Sequence, residues 1–177
     1  CRAPRDGMEV RAKSERARSA QRMVLELLRA DVPPLPLRED DELERWCAAL
    51  GLGAPRFERR TTVADDPSHP GIHVRLDSCI QCARCLRACR EVQANDVIGY
   101  AWRGGRAAIV FDFAAPRGAS SCVGCGECVQ ACPTGALLAA VPARAEDARV
   151  ESLCPYCGVG CQVPYRVRAG RIVAAEG

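Results

Sequence analysis

The stretch Cys122-Val-Gly-Cys125-Gly-Glu-Cys128-Val-Gln-Ala-Cys132-Pro133 decides the fold of this 177-residue chain. Its cysteines follow the spacing C-x2-C-x2-C-x3-C-P, the spacing of the thiolates that hold a cubane iron–sulfur cluster. A second copy of the four-cysteine spacing lies upstream, as Cys79-Ile-Gln-Cys82-Ala-Arg-Cys85-Leu-Arg-Ala-Cys89, with Arg90 in place of the proline. Two matched quartets make a disulfide scaffold a poor alternative, so the pattern predicts two [4Fe-4S] clusters.

Each cubane needs four thiolates that converge from different directions, and the three cysteines of one tight loop cannot complete it. In two-cluster ferredoxins the last cysteine of each motif binds the other cluster. We therefore expect Cys89 and Cys132 to cross between the motifs. The expected ligands are Cys79, Cys82, Cys85 and Cys132 for the first cluster, and Cys122, Cys125, Cys128 and Cys89 for the second.

Eight of the 13 cysteines belong to these quartets, and three more form Cys154-Pro-Tyr-Cys157-Gly-Val-Gly-Cys161, which leaves Cys1 and Cys47. A zinc site is the alternative for any C-x2-C pair. The full quartet spacing argues against zinc for the eight, whereas for the three a zinc site or a partial site stays open. Cys47 lies on an apolar helical stripe, which is typical of a small buried residue.

Charge and composition exclude several classes of partner. The 25 basic and 22 acidic residues are well mixed and give a net charge of +3, which argues against a nucleic-acid-binding stripe. No run approaches the roughly 20 apolar residues of a membrane span. Thiolate-rich motifs fit a reducing compartment, so we expect the cytoplasm.

The spacing of apolar residues, together with the residues that cap or end helices and strands, predicts a mixture of helices and strands. One amphipathic helix over 14 to 30 carries Ala17, Ala20, Val24, Leu27 and Leu28 on its apolar stripe and Ser14 as N-cap. A second runs from 41 to 50, with Leu43, Trp46, Cys47 and Leu50 inward and Gly51 as its end. Expected strands are 72 to 76, a hairpin of 97 to 102 and 107 to 111 inserted between the quartets, a strand after Thr134, and the pair 163 to 167 and 171 to 173.

The segment from Cys154 to Cys161, with Gly170-Arg-Ile-Val173 after it, resembles the start of the catalytic domain of molybdenum- or tungsten-pterin formate dehydrogenases. The two quartets also resemble the catalytic (alpha) subunit of the soluble NAD-linked type, which is related to the large iron–sulfur subunit of respiratory complex I. The resemblance extends to Cys89-Arg-Glu-Val-Gln93, Asn95-Asp-Val-Ile-Gly-Tyr100 and Gly118-Ala-Ser-Ser-Cys122, and it covers nearly the whole chain.

The resemblance implies further cofactors. Cys154, Cys157 and Cys161 hold a third [4Fe-4S] cluster, whose fourth cysteine lies beyond Gly177, and Cys1 is the last ligand of a plant-type [2Fe-2S] cluster. A molybdenum or tungsten bis-pterin cofactor belongs to the domain downstream. The family's cluster of one His and three Cys is absent, because residues 31 to 37 contain neither residue type.

The expected fold class is α+β. It comprises a helical spacer, a bacterial two-[4Fe-4S] ferredoxin-like domain with an inserted β-hairpin, and the start of a molybdopterin oxidoreductase [4Fe-4S] domain. The expected divisions are 1–30, the tail of a truncated [2Fe-2S] domain and the following helix; 31–71, the spacer; 72–140, the two-cluster domain; 141–149, a linker; and 150–177, the last domain.

The leading functional hypothesis is the electron-relay portion of a formate dehydrogenase, cut from a longer protein. The catalytic residues are expected outside this chain, and the partner is an electron-acceptor subunit, flavin- and NAD-binding by the resemblance. One alternative is a stand-alone ferredoxin-like carrier. Another is an iron–sulfur subunit of a complex I or hydrogenase-type assembly.

Overall fold

The computed structural model describes residues 3–34, 38, 40–59, 63–140, 147–155 and 157–175. They form a mixture of helices and strands, as predicted. The helices are α1 (Glu15–Asp31), α2 (Glu42–Ala49), α3 (Arg84–Arg87) and α4 (Glu127–Ala131). Within the described ranges, no helix has the length and apolar character needed to cross a bilayer.

Seven strands in the described residues form three antiparallel sheets. The strands are β1 (Ile72–Val74), β2 (Ile98–Ala101), β3 (Ala108–Phe111), β4 (Leu137–Ala139), β5 (Ala148–Leu153), β6 (Gln162–Arg168) and β7 (Arg171–Ala175). β1 pairs with β4, and β2 with β3, while β5, β6 and β7 follow one another in a meander.

The ends of the first two helices confirm the capping signals of the sequence. Ser14 caps α1 by accepting a hydrogen bond from the N–H of Ala17, and Asp41 caps α2 in the same way from Glu44. α2 ends before Gly51, whose positive φ of 63° closes the last turn.

The buried faces of these helices agree only in part with the expected ones, since Leu43 and Cys47 of α2 are buried as predicted. In α1, Val24 and Leu27 are 56% and 46% exposed, and the buried residues are Glu26 and Ala30. Glu26 takes that position because Arg56 binds its carboxylate through two side-chain hydrogen bonds of 2.6 and 2.7 Å. These hydrogen bonds lower the pKa of Glu26 to about 2, against the opposing effect of burial.

Trp46 was expected to face inward, and that prediction is wrong, since its side chain is 54% exposed. The buried stripe of α2 consists of Leu43 and Cys47, which are four residues apart and therefore lie on one face. Trp46 lies about 100° around the helix from Cys47. The covered face of this short helix is too narrow to include it.

The central unit is built on the pairing of β1, which precedes the first quartet, with β4, which follows the second. Ile72, His73 and Val74 lie opposite Ala139, Leu138 and Leu137. The inserted hairpin of β2 and β3 is confirmed, with Ile98 opposite Phe111. The buried residues of this core are Ile72, Val74, Cys89, Val97, Ile98, Ile109, Phe111, Cys128, Cys132, Ala136 and Leu137.

The described residues of the spacer 31–71 and of the linker 141–149 include some with regular backbone pairing. Asp66 forms an antiparallel bridge with Val74, through backbone hydrogen bonds of 2.8 and 3.0 Å. β5 begins at Ala148, inside the expected linker 141–149, and its side chains are all exposed, which is why no apolar alternation announced it. Residues 141–146 lie outside the described part of the chain.

Candidate iron–sulfur sites

The first site is a cavity lined by four cysteines, which we call the first cavity. Cys79, Cys82 and Cys85 come from the first quartet, and Cys132 comes from the end of the second. These are the four expected ligands of the first cluster. The other lining residues are Leu76, Ile80, Ala83, Ile109, Pro133, Thr134, Ala136 and Leu137, and none of them is charged.

The second cavity has the reciprocal composition. Cys122, Cys125 and Cys128 of the second quartet line it together with Cys89 from the end of the first. The structure therefore groups each last cysteine with the other motif. The remaining lining residues are Asn95, Val97, Ile98, Arg117 and Val123.

Short helices carry the chain from one cavity to the other. After α3, the chain continues as one turn of π-helix, Ala88–Val92, so Cys85 and Cys89 lie on a continuous helical segment. Arg90 allows this continuation, whereas Pro133 follows the end of α4. α3 and the π-helical turn that follows it both contact α4. Cys89 in the π-helical turn lines the second cavity, and Cys132 at the end of α4 lines the first.

The two cysteine loops repeat the same backbone geometry. Gln81 and Gly124 occupy equivalent positions with φ of 55° and 70°, and each backbone N–H lies 3.4 Å from the sulfur of the first cysteine of its loop, Cys79 or Cys122. Backbone N–H donors to sulfur are one of the means by which proteins tune iron–sulfur potentials. In both loops, therefore, the backbone directs a main-chain N–H donor at a cysteine sulfur.

The donor set fits a multi-iron cluster. Among the described residues, no three Cys, His, Asp or Glu side chains are placed to hold a single metal ion. In a cubane each thiolate binds a different iron, so the four sulfurs stand apart around the cluster. Each of the two cavities is lined by four cysteines, which is the number of thiolates that one cubane requires.

Burial makes these thiols poor acids until a metal binds. Burial raises the pKa of the Cys85 thiol to about 12, with neighbouring cysteine thiolates adding to the effect. It also raises the pKa of Cys79 and Cys128. Iron binds the thiolate, so cluster formation must release protons and stabilise buried negative charge.

Arg117 lies in the second cavity, and the sequence reasoning missed it. It is 2% exposed and belongs to a 3-10 helix, Arg117–Ala119, just ahead of the second quartet. Its Nη2 lies 3.3 Å from the sulfur of Cys122 and 3.2 Å from that of Cys128. No local spacing distinguished Arg117 from the many other arginines of the chain.

The segment before β1 positions Arg117. Asp66 accepts a hydrogen bond from the Arg117 backbone N–H at 2.7 Å, and the Ser68 hydroxyl accepts one from Gly118 at 2.8 Å. Burial raises the pKa of Asp66, but hydrogen bonds from Ser68 and Arg117 outweigh it and keep that pKa below its usual value. Asp66 therefore stays ionised.

The inserted hairpin holds the first cysteine loop through Gln81. The Tyr100 hydroxyl donates to the Gln81 carbonyl at 2.7 Å, and the Gln81 side-chain amide donates to the Ala107 carbonyl at 2.7 Å. On the other side of the same loop, the Thr134 hydroxyl donates to the Ser78 carbonyl at 2.7 Å. Both cysteine motifs and the hairpin thus support the first cavity.

The third group of cysteines forms the tip of a hairpin. β5 ends at Leu153, which lies opposite Gln162 at the start of β6, so residues 154–161 form the connecting loop. The Cys154 backbone N–H donates to the Cys161 carbonyl at 2.8 Å and closes the loop at its base. Cys154 is partly buried, whereas Cys157 and Cys161 are exposed.

Of the two remaining cysteines, Cys47 lines neither cavity. Cys47 is fully buried in the core contact of α2, as its apolar stripe indicated, and burial raises its pKa. Cys1, the candidate [2Fe-2S] ligand, lies outside the described residues.

Two family descriptions match the chain. Residues 75–136 match the 4Fe-4S dicluster domain, and residues 147–177 match the molybdopterin oxidoreductase Fe4S4 domain. The first range contains all eight cysteines of the two cavities, and the second contains the hairpin loop of 154–161.

Curated relatives and a solved structure extend the comparison. An NADH-quinone oxidoreductase subunit of Rhizobium meliloti (strain 1021) is 33% identical over 180 residues, which is 95% of this chain and 21% of the relative. A "Putative formate dehydrogenase" of Staphylococcus haemolyticus (strain JCSC1435) is 31% identical over 99 residues, 56% of this chain and 10% of the relative. This chain thus spans about a fifth of the first relative and a tenth of the second.

The crystal structure of an NAD+-reducing [NiFe]-hydrogenase in the H2-reduced state has a similar chain. The TM-score is 0.69 at 26% identity, over 77% of this chain and 60% of that one. The two domain matches, the relatives and the crossed cysteine geometry agree. The chain therefore carries the iron–sulfur electron-relay domains of the molybdopterin oxidoreductase family, a 4Fe-4S dicluster domain followed by a molybdopterin oxidoreductase Fe4S4 domain.

Proposed function

We propose that this chain is the electron-relay portion of a formate dehydrogenase-like molybdopterin oxidoreductase. One observation carries the proposal: the hairpin loop of 154–161 shares a chain with two cavities that each gather four cysteines. Formate oxidation to carbon dioxide releases one proton and two electrons. The relay accepts those electrons one at a time and passes them away from the pterin domain.

Ligation in this proposal crosses between the two motifs. Cys132 completes the first [4Fe-4S] cluster and Cys89 completes the second, in the two-cluster ferredoxin-like domain. Cys154, Cys157 and Cys161 hold a third [4Fe-4S] cluster with a fourth cysteine from the downstream domain. Cys1 contributes the last ligand of a [2Fe-2S] cluster. Bound clusters supply one-electron transfer, and the molybdenum or tungsten bis-pterin cofactor belongs to the downstream domain.

The chain's own residues supply thiolates, donors to sulfur and shelter from water. Apolar residues such as Ile109 and Leu137 line the first cavity and limit the access of solvent to it. The partner in this proposal is an electron-acceptor subunit that binds flavin and NAD, and the compartment is the cytoplasm, where thiols stay reduced.

A second candidate is the iron–sulfur subunit of a complex I or hydrogenase-type assembly. The similarity to the NADH-quinone oxidoreductase subunit covers 95% of this chain, whereas the similarity to the formate dehydrogenase relative covers 56%. In that case the same iron–sulfur relay carries electrons from a donor other than formate. A third candidate is a stand-alone ferredoxin-like carrier.

Formate-dependent dye reduction by the full-length gene product, loaded with molybdenum or tungsten, tests the proposal. We expect activity in the parent, loss in Cys157→Ala, and parental activity in Val159→Ala, an exposed change in the same loop that keeps all three thiols. Inactivity with formate despite a complete pterin cofactor rejects the substrate. Dye reduction by NADH, measured after the partner subunit that binds flavin and NAD is added to that preparation, then favours the second candidate.

A further inference from the structure

Arg117 is a buried cation whose guanidinium forms no salt bridge with any described residue. Its side chain is the largest among the fully buried ones of the described residues. Within those residues, Nε and Nη1 have no hydrogen-bond partner, while Nη2 points at the sulfurs of Cys122 and Cys128. A charged group removed from water in this way is costly unless an opposite charge compensates it.

The surroundings orient the guanidinium, and the ionised Asp66 carboxylate compensates its charge only from a distance, through an electrostatic interaction without a hydrogen bond to the guanidinium. The Phe111 ring lies 4.6 Å from its Cζ, in the geometry of a cation–π contact. Asp66 uses its carboxylate to accept from backbone N–H groups, with Oδ2 accepting from Arg117 and Oδ1 from Ser68. The carboxylate therefore anchors the main chain of Arg117, while the guanidinium faces the cysteine sulfurs.

The first cavity has no equivalent group in the described part of the chain, since none of the described residues that line it is charged. Two arginines lie close outside it, and both are paired: Arg84 with Glu42 at 2.6 and 3.0 Å, and Arg38 with Asp40. The backbone N–H donors to sulfur are matched in the two loops at 3.4 Å. Arg117 is thus the main electrostatic difference between two otherwise repeated sites.

We propose that Arg117 is a positioning residue that raises the midpoint potential of the second cluster above that of the first. The first electron to enter the pair then reduces the cluster bound by Cys89, Cys122, Cys125 and Cys128. Each one-electron reduction adds a negative charge to a cluster. A fixed buried cation stabilises the reduced state more than the oxidised state, and net charge and hydrogen bonds to sulfur are established determinants of potential. The inference rests on the proposed clusters and is independent of formate as substrate.

An EPR-monitored redox titration of the full chain with both clusters tests this directly. We expect two one-electron waves in the parent. Arg117→Gln should lower the higher wave by at least a tenfold change in its equilibrium constant, which is about 59 mV for a one-electron couple. Arg117→Lys, which keeps the charge, should lower it less, and Arg103→Gln, which removes an exposed guanidinium from the hairpin, should move neither wave.

The outcomes decide the proposal even if the neutral variant fails to hold its second cluster. If the higher wave stays in place in Arg117→Gln, or if the lower wave is the one that moves, the assignment is overturned. If Arg117→Gln retains about four irons and a single wave, that wave must be the lower one of the parent. Survival of the higher wave contradicts the proposal.

Discussion

The backbone N–H of Glu42 donates a hydrogen bond of 2.9 Å to the carbonyl of Pro133, which joins the first turn of α2 to the residue after Cys132. Arg38 reinforces the same turn by donating to the Cys132 carbonyl at 2.6 Å. Arg84 of α3 binds the Glu42 carboxylate through two hydrogen bonds. The spacer thus supports the turn that delivers Cys132 to the first cavity.

Loss of the α2 N-cap should weaken the first cluster selectively. In Asp41→Ala the Glu44 N–H loses its acceptor, which typically costs about 1 kcal/mol of helix stability. We expect iron to leave the first site faster under chelator, as followed by the decay of its EPR signal. Ser14→Ala, which removes the equivalent cap of α1, is the control. Equal acceleration in both variants would contradict a specific role for α2.

Paired substitutions test the crossed ligation. Cys82→Ala disables the first site and Cys125→Ala disables the second, and both cysteines are exposed, so neither change opens the core. If Cys89 serves the second cluster, adding Cys89→Ala to Cys82→Ala should damage both clusters. Adding it to Cys125→Ala should cost no further iron. Iron and acid-labile sulfide per chain give the answer, and the reverse pattern places Cys89 with its own motif.

Gly118→Ala should displace the Arg117 turn. A Cβ at this position would overlap the Ser68 carbonyl, with 2.7 Å to its carbon, so the backbone of one segment must move. Overpacking of this kind costs about 1–3 kcal/mol. We expect a lower melting temperature and a shift in the potential of the second cluster. Gly105→Ala, where a Cβ meets nothing within 4 Å, should melt like the parent.

Removal of the clusters should unfold residues 72–140. Several residues of the small core are cysteines, including Cys89, Cys128 and Cys132, whose thiolates would be held by iron. Because metal binding contributes directly to folding free energy in such domains, hydrogen exchange of β1 and β4 should become fast after complete chelation. Iron and sulfide should restore protection. Native protection in the iron-free chain would show that side-chain packing alone maintains the fold.

The features that could be predicted from the sequence are those that depend on the spacing of nearby residues. The quartets, the caps at Ser14 and Gly51 and the inserted hairpin each carry a short signal that needs no distant partner. Arg117 could not be identified in this way, because its role depends on Phe111, Cys122 and Cys128 meeting it in space.

The exposure of Val24, Leu27 and Trp46 on the first two helices could not be predicted, and the physical reason is the same. Apolar periodicity shows that a helix has an apolar side, but which residues are covered depends on the partner surface. Glu26 is buried because Arg56 is available to bind it, and Trp46 stays exposed because the surface under α2 ends before reaching it. Neither partner is visible from the periodicity of the helix itself.

The hydrogen bonds between Gln81 and the inserted hairpin make the shape of the first cysteine loop depend in part on residues outside the cysteine motif. Tyr100 donates to the main chain of Gln81, and the Ala107 carbonyl accepts from its side chain. Sequence changes in the hairpin can therefore alter this loop while every cysteine is left untouched.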